Sequence, residues 1–156
     1  MLADEIGVML RSRSETLAVA ESCTGGGLGD TITEVAGSSD YFLGGVISYS
    51  NQAKVDLLGV SERVLEDEGA VSEKVAIQMA EGVMKRFKST HGIGITGIAG
   101  PSGATRKKPV GLVYIAVSSK NRTVCKEYHF NGSRSEVKDQ ATTAALEMLR
   151  SALQKP

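Results

Sequence analysis

The chain has 156 residues, 41% of them hydrophobic, and its 18 basic and 18 acidic side chains give a formal net charge of zero. One compact domain with a substantial core, residues 1–156, is expected, and the balanced charge argues against a dedicated nucleic-acid binder. The longest apolar runs fall well below the ~20 residues that cross a bilayer, no leader pattern is expected at the N-terminus, and Cys23 and Cys125, without metal-ligand spacing, fit a reduced, cytoplasmic setting.

Leu2, Ile6, Met9 and Leu10 recur at helical spacing and predict an opening helix. Residues 16–20 predict a buried strand. The stretch Ala20-Glu21-Ser22-Cys23-Thr24-Gly25-Gly26-Gly27 then turns into a helix with Leu28, Ile32 and Val35 on one face, ending near Gly37. Ser38-Ser39-Asp40 is turn chemistry. Residues 41–50, rich in aromatic and β-branched side chains, predict a second strand with a bulge or close approach at Gly44-Gly45. Two short helices follow over 51–58 and 61–68, closed by Gly59 and Gly69. Ser72 caps a longer helix reaching Lys88, whose stripe of Val75, Met79, Val83 and Phe87 reads as core.

Gly92-Ile93-Gly94-Ile95-Thr96-Gly97 spells G-x-G-x-x-G, yet Ala99-Gly100-Pro101-Ser102-Gly103 follows where a dinucleotide fingerprint needs a helix. A buried strand running into a glycine-rich loop is expected instead. Residues 110–118 and 123–130 predict a hairpin, and 134–153 a final helix. Helices alternating with strands imply an α/β fold: a three-layer α/β/α sandwich around a mixed, mostly parallel sheet of about five strands.

In open α/β sheets ligands bind beyond the carboxyl ends of strands. Three loops leave such ends, over 22–27, 49–54 and 96–103, and they bring a serine, a lysine, a tyrosine and a threonine. Small residues between a strand and a helix leave backbone N–H groups free for an anion; equally, Ser22 or Thr24 could be an N-cap and the glycines a packing device. His91 and His129 read as structural or surface residues, so no Ser-His-Asp relay is expected, nor any metal cluster. A lysine acting as base for a serine remains. It requires a lysine pKa lowered by about 3 units, roughly 4 kcal/mol, and on spacing alone Lys54 reads more readily as a surface lysine.

Glu21-Ser22-Cys23-Thr24-Gly25-Gly26, Gly44-Gly45-Val46-Ile47-Ser48-Tyr49-Ser50-Asn51 with Ala53-Lys54, Gly69-Ala70-Val71-Ser72-Glu73, Thr96-Gly97-Ile98-Ala99-Gly100-Pro101 and Lys108-Pro109-Val110-Gly111 resemble, in order and spacing, the CinA carboxy-terminal-domain family. Members are known as nicotinamide-nucleotide amidohydrolases of the PncC type. The resemblance implies the three-layer fold, Ser22 as nucleophile, Lys54 as base, and supporting roles for Tyr49, Thr96 and Arg134. Two departures stand out. Gly132-Ser133-Arg134 replaces the family's usual Gly-Asp-Arg, and Ala104 and Lys107 replace a glycine and an acid.

Joined to the residue-level reading, the resemblance implies hydrolysis of nicotinamide mononucleotide to nicotinate mononucleotide and ammonia. Backbone N–H groups around Thr24, Gly25 and Gly26 would hold the oxyanion, and Arg134, with Lys107 or Lys108, the phosphate. Gly97 and Gly100 complete the expected substrate-binding set. No metal or organic cofactor is expected. The expected partners are a nucleotide substrate and a second copy of the chain, with no nucleic acid or membrane. A nucleotide-binding module without turnover, or a competence- or damage-linked protein, is the alternative.

Overall fold

The computed structural model describes residues 1–155. Its elements are α1 Leu2–Ser12, β1 Leu17–Glu21, α2 Gly27–Thr33, β2 Phe42–Ile47, α3 Asn51–Leu58, α4 Glu62–Glu68, α5 Glu73–Phe87, β3 His91–Gly97, β4 Leu112–Ser119, β5 Arg122–His129 and α6 Arg134–Gln154, with a single 3-10 turn at Ser38–Asp40. The strands form one sheet in the order β2-β1-β3-β4-β5. β1 is parallel to both β2 and β3, whereas β4 is antiparallel to β3 and to β5. Four strands therefore run one way and only β4 runs against them, which is the mixed sheet expected.

β1 is buried along its whole length because helices cover both faces of the sheet at its centre. On one face α1, α2 and α6 enclose a core that includes Leu10, Leu17, Leu28, Ile95 and Leu149. On the other, α3 and α5 close Leu58, Val75, Met79 and Val83 over Ala18 and Ala20. Helix limits follow local chemistry: the hydroxyls of Ser50, Ser61, Ser72 and Ser133 each accept from the backbone N–H three residues on.

The G-x-G of β3 has a packing reason. A Cβ at Gly94 would stand 2.7 Å from Ala80 N and 2.9 Å from Met79 Cβ, and one at Gly92 would stand 2.9 Å from Met84 Cβ. The glycines let α5 lie directly on the sheet.

Several limits differ from expectation. β2 stops at Ile47: Ser48 is buried and still donates its N–H to Glu21 O, Tyr49 is exposed, and Ser50 already caps α3. α2 ends at Thr33 rather than near Gly37, and Thr33 bonds back to the carbonyls of Gly29 and Asp30. β1 extends to Glu21, so the turn starts one residue later than the apolar pattern suggested.

Candidate active site

β1, β2 and β3 end at the same edge of the sheet, so the loops that leave them meet there. Ser22 follows β1 and its N–H donates to Ile95 O, which fixes its height above β3. Lys54 lies in the second turn of α3 and is 1% exposed. Its Nζ stands 3.1 Å from Ser22 Oγ, 2.7 Å from Ser48 O and 3.3 Å from Tyr49 O.

This geometry decides where the lysine's lone pair would point. The two carbonyls can only accept, so they hold two N–H bonds. When Nζ loses its third proton, the vacated direction is the one toward Ser22 Oγ. Burial favours that loss: with desolvation as the chief cause, the Lys54 pKa falls from 10.5 to about 8, with Cys23 pulling the other way. Cys23 itself is buried, and desolvation pushes its pKa up to about 11, which keeps it a thiol.

The turn behind Ser22 departs from expectation. Its freed amides do not await an anion, because the carboxylate of Glu21, 2% exposed, already occupies them. Glu21 Oε1 accepts from Thr24 Oγ1 at 2.6 Å, Gly26 N at 3.2 Å and Leu28 N at 3.0 Å, and Oε2 accepts from Gly29 N at 2.9 Å. A negative group at the N-terminus of α2 is favoured by the helix dipole as well as by these bonds. Gly25 N and Gly27 N donate to Ser22 O and Thr24 O. Among the described residues, the turn amides left without an acceptor are those of Cys23 and Thr24. The oxyanion donors expected at Gly25 and Gly26 are therefore spoken for, by local turn bonds and by a carboxylate that nothing in the apolar pattern had marked.

A cavity of about 240 Å³ opens over Ser22 and Lys54, with Tyr49, Thr96, Ser102 and Arg134 in its walls. Gly97 lines it too. Thr96, 1% exposed, donates its hydroxyl to Ala70 O and so ties the segment before α5 to the cavity wall. Arg134, the first residue of α6, donates through Nη1 to Gly100 O at 2.8 Å and through Nη2 to Tyr49 Oη at 3.3 Å. Gly100 thus acts on Arg134 through its carbonyl and does not line this cavity.

Thr24, Gly25 and Gly26 face a neighbouring depression beside α6, together with Lys138. Lys108 lies elsewhere: its Nζ donates to Glu68 O at the end of α4, so it clasps the loop to that helix. Ser133, where the family's acid was missed, caps α6 in a reciprocal pair with Glu136. His129 is exposed beside Glu127, and His91 is buried at the far end of β3.

Residues 1–153 match the CinA family, described as the CinA C-terminal domain. The chain is 54% identical over 152 residues to a CinA-like protein of Thermosynechococcus vestitus and 56% identical over 151 residues to one of Acaryochloris marina; each alignment takes in 96% of this chain and 36% of the relative. The chain thus spans about a third of the length of the curated relatives it matches. It superimposes on the crystal structure of the competence/damage inducible protein CihA from Agrobacterium tumefaciens with a TM-score of 0.95 and 39% identity, covering 99% of this chain and 94% of that one. For a CinA superfamily protein from Escherichia coli the TM-score is 0.94 and the identity 34%, covering 97% and 88%.

Proposed function

The chain belongs to the CinA C-terminal domain family, and from that premise we propose that it is an amidohydrolase releasing ammonia from the carboxamide of nicotinamide mononucleotide. The observation that carries the reading is the buried contact of 3.1 Å between Lys54 Nζ and Ser22 Oγ, with two carbonyls holding the remaining N–H bonds.

Neutral Lys54 takes the Ser22 proton as Oγ forms a bond to the carboxamide carbon. The N–H groups of Cys23 and Thr24 receive the developing oxyanion. Lys54 then gives its proton to the departing nitrogen, the C–N bond breaks, and ammonia leaves an ester on Ser22. Water attacks that ester with Lys54 again taking the proton; the acyl C–Oγ bond then breaks, Lys54 returns the proton to Ser22 Oγ, and the acid product departs and loses its own proton to solvent. Arg134, held in place by Gly100 and Tyr49, presents its remaining N–H groups to the phosphate. Lys108, engaged with Glu68, takes no part.

Ammonia release from the mononucleotide, followed for Ser22→Ala, Lys54→Ala and the double variant, tests this reading. Each single change should remove nearly all turnover and the double change should add little more, as for residues acting as a unit. Calorimetry should find mononucleotide binding to Ser22→Ala little altered. Turnover near wild type in Ser22→Ala would refute the nucleophile, and tight binding without release in the wild type would favour a binding module.

A further inference from the structure

At the opposite end of the sheet, a second cavity of about 210 Å³ lies between the β4–β5 hairpin and the last turns of α6. Ser119 in its wall pairs with His91, the first residue of β3, whereas Thr96 stands near that strand's other end. Five residues of strand separate the two positions, roughly 16 Å. The second cavity is therefore distinct from the one over Ser22.

Its composition follows from the hairpin register. Val117 pairs with Val124, Ser119 with Arg122, and Ile115 with Lys126, which puts Arg122, Val124 and Lys126 on the sheet face that α6 covers. Met148 and Ala152 complete an apolar floor with the two valines. Arg122, Lys126 and Lys155 stand around it, all exposed, and none has an ion-pair or hydrogen-bond partner among the described residues. Among the described residues, no carboxylate side chain lines the cavity.

Two ordinary uses of such cations are already filled. Lysines and arginines near a helix C-terminus serve its last carbonyls, but here Arg13 does so, donating to Leu153 O. Glu15, an acid on this side of the sheet, meets His91 Nε2 at 3.2 Å, while the other ring nitrogen, Nδ1, stands 2.8 Å from Ser119 Oγ. The ring therefore stands between that acid and the cavity. In a chain of zero net charge, three unpartnered cations over one apolar floor form a local excess that a compact anion would complement.

We propose that this cavity binds a small amphipathic anion, an aromatic or short-chain acyl carboxylate, with its apolar body on Val117, Val124, Met148 and Ala152 and its carboxylate among Arg122, Lys126 and Lys155. The proposal is independent of the chemistry at Ser22.

Benzoate is the probe and benzamide its neutral counterpart, titrated into the full chain while backbone amide shifts are followed by NMR. Benzoate should shift residues 117–126 and 148–152 with saturation in the millimolar range or tighter, and added salt should weaken it. Benzamide should bind there at least tenfold more weakly, whatever it does at the Ser22 cavity. Arg122→Glu combined with Lys126→Glu should weaken benzoate at least tenfold, with the urea midpoint and ammonia release unchanged. If the double reversal unfolds the chain, Arg122→Gln with Lys126→Gln should give the same direction of effect. Equal binding of benzamide, benzoate shifts confined to the Ser22 cavity, or shifts that track protein concentration as for a second copy seated on the hairpin would each overturn the proposal.

Discussion

A buried lysine whose pKa falls leaves a thermodynamic mark that can be read without substrate. In the folded chain Lys54 titrates at about 8, against 10.5 for an unhindered lysine. Below pH 8 both folded and unfolded states carry the proton, and the fold bears the full cost of burying the charge. Between about 8 and 10.5 the unfolded state binds more protons, so stability rises with pH; above 10.5 both states are neutral and the cost is gone. At about 1.4 kcal/mol per pKa unit the whole excursion is about 3 kcal/mol. Lys54→Met keeps the chain length and removes the charge. It also leaves Ser48 O without its 2.7 Å partner, a loss that does not vary with pH. Urea unfolding of both proteins from pH 7 to 10.5 should therefore show the wild type gaining about 3 kcal/mol relative to the variant, other titrations cancelling in the difference. The same pKa should govern chemistry, with kcat/KM rising about tenfold per pH unit below 8 and flattening above about 9. A stability difference that stays parallel across this range would refute the buried-ammonium argument. A kcat/KM profile with no rise near pH 8 would refute Lys54 as the base.

Glu21→Ala should destabilise the chain by roughly 3–5 kcal/mol, since three amides and a threonine hydroxyl lose a charged acceptor in a buried place; urea midpoints give the value. Gly94→Ala should lower the melting temperature through collision with α5, an overpacking cost of about 1–3 kcal/mol or more. Arg134→Ala should raise KM for the mononucleotide far more than for the dephosphorylated riboside in an ammonia-release assay, and equal losses would make Arg134 a framework residue. Cys23→Ala should keep substantial activity, because a buried thiol with a pKa near 11 supplies no nucleophile at neutral pH.

The layers and the mixed sheet of the fold were legible because most elements carried their own punctuation, whereas the strand order was not read from the sequence. Serines opened α3, α4, α5 and α6, and glycines closed α3 and α4, so helix limits could be read within a residue or two. The convergence of the three loops followed from β1, β2 and β3 running parallel. What the pattern could not convey was which side chains the turn would consume. Glu21 sits at the end of an apolar run, and alternation gives it no direction; only the three-dimensional turn aims it at the amides of α2. An acid at the end of β1, just ahead of the turn that leads into α2, was the available signal, and it indicates a partner for helix-end amides rather than catalysis. Lys108 was misplaced for the opposite reason. A basic stretch near a glycine-rich loop suggests phosphate, but the loop is long enough to carry its lysine away to α4. The burial of Lys54 lay between these cases, since Ala53 and Val55 allow it without requiring it.

The clasp between Lys108 and α4 bears on how this domain can change over time. The loop from 100 to 108 is pinned at one end where Arg134 grips Gly100 and at the other where Lys108 grips Glu68. The stretch between the pins is exposed and rests on few bonds of its own. Gly103, at a φ of +95°, and Thr105, whose hydroxyl accepts from Lys108 N, are held in place, but Ala104, Arg106 and Lys107 can change with little risk to folding beside Ser102 and Gly103 at the mouth of the Ser22 cavity. Ala104 and Lys107, which stand where the resembled pattern has a glycine and an acid, both lie in this stretch. Under the proposed function, substrate preference has here a place to change apart from Ser22 and Lys54.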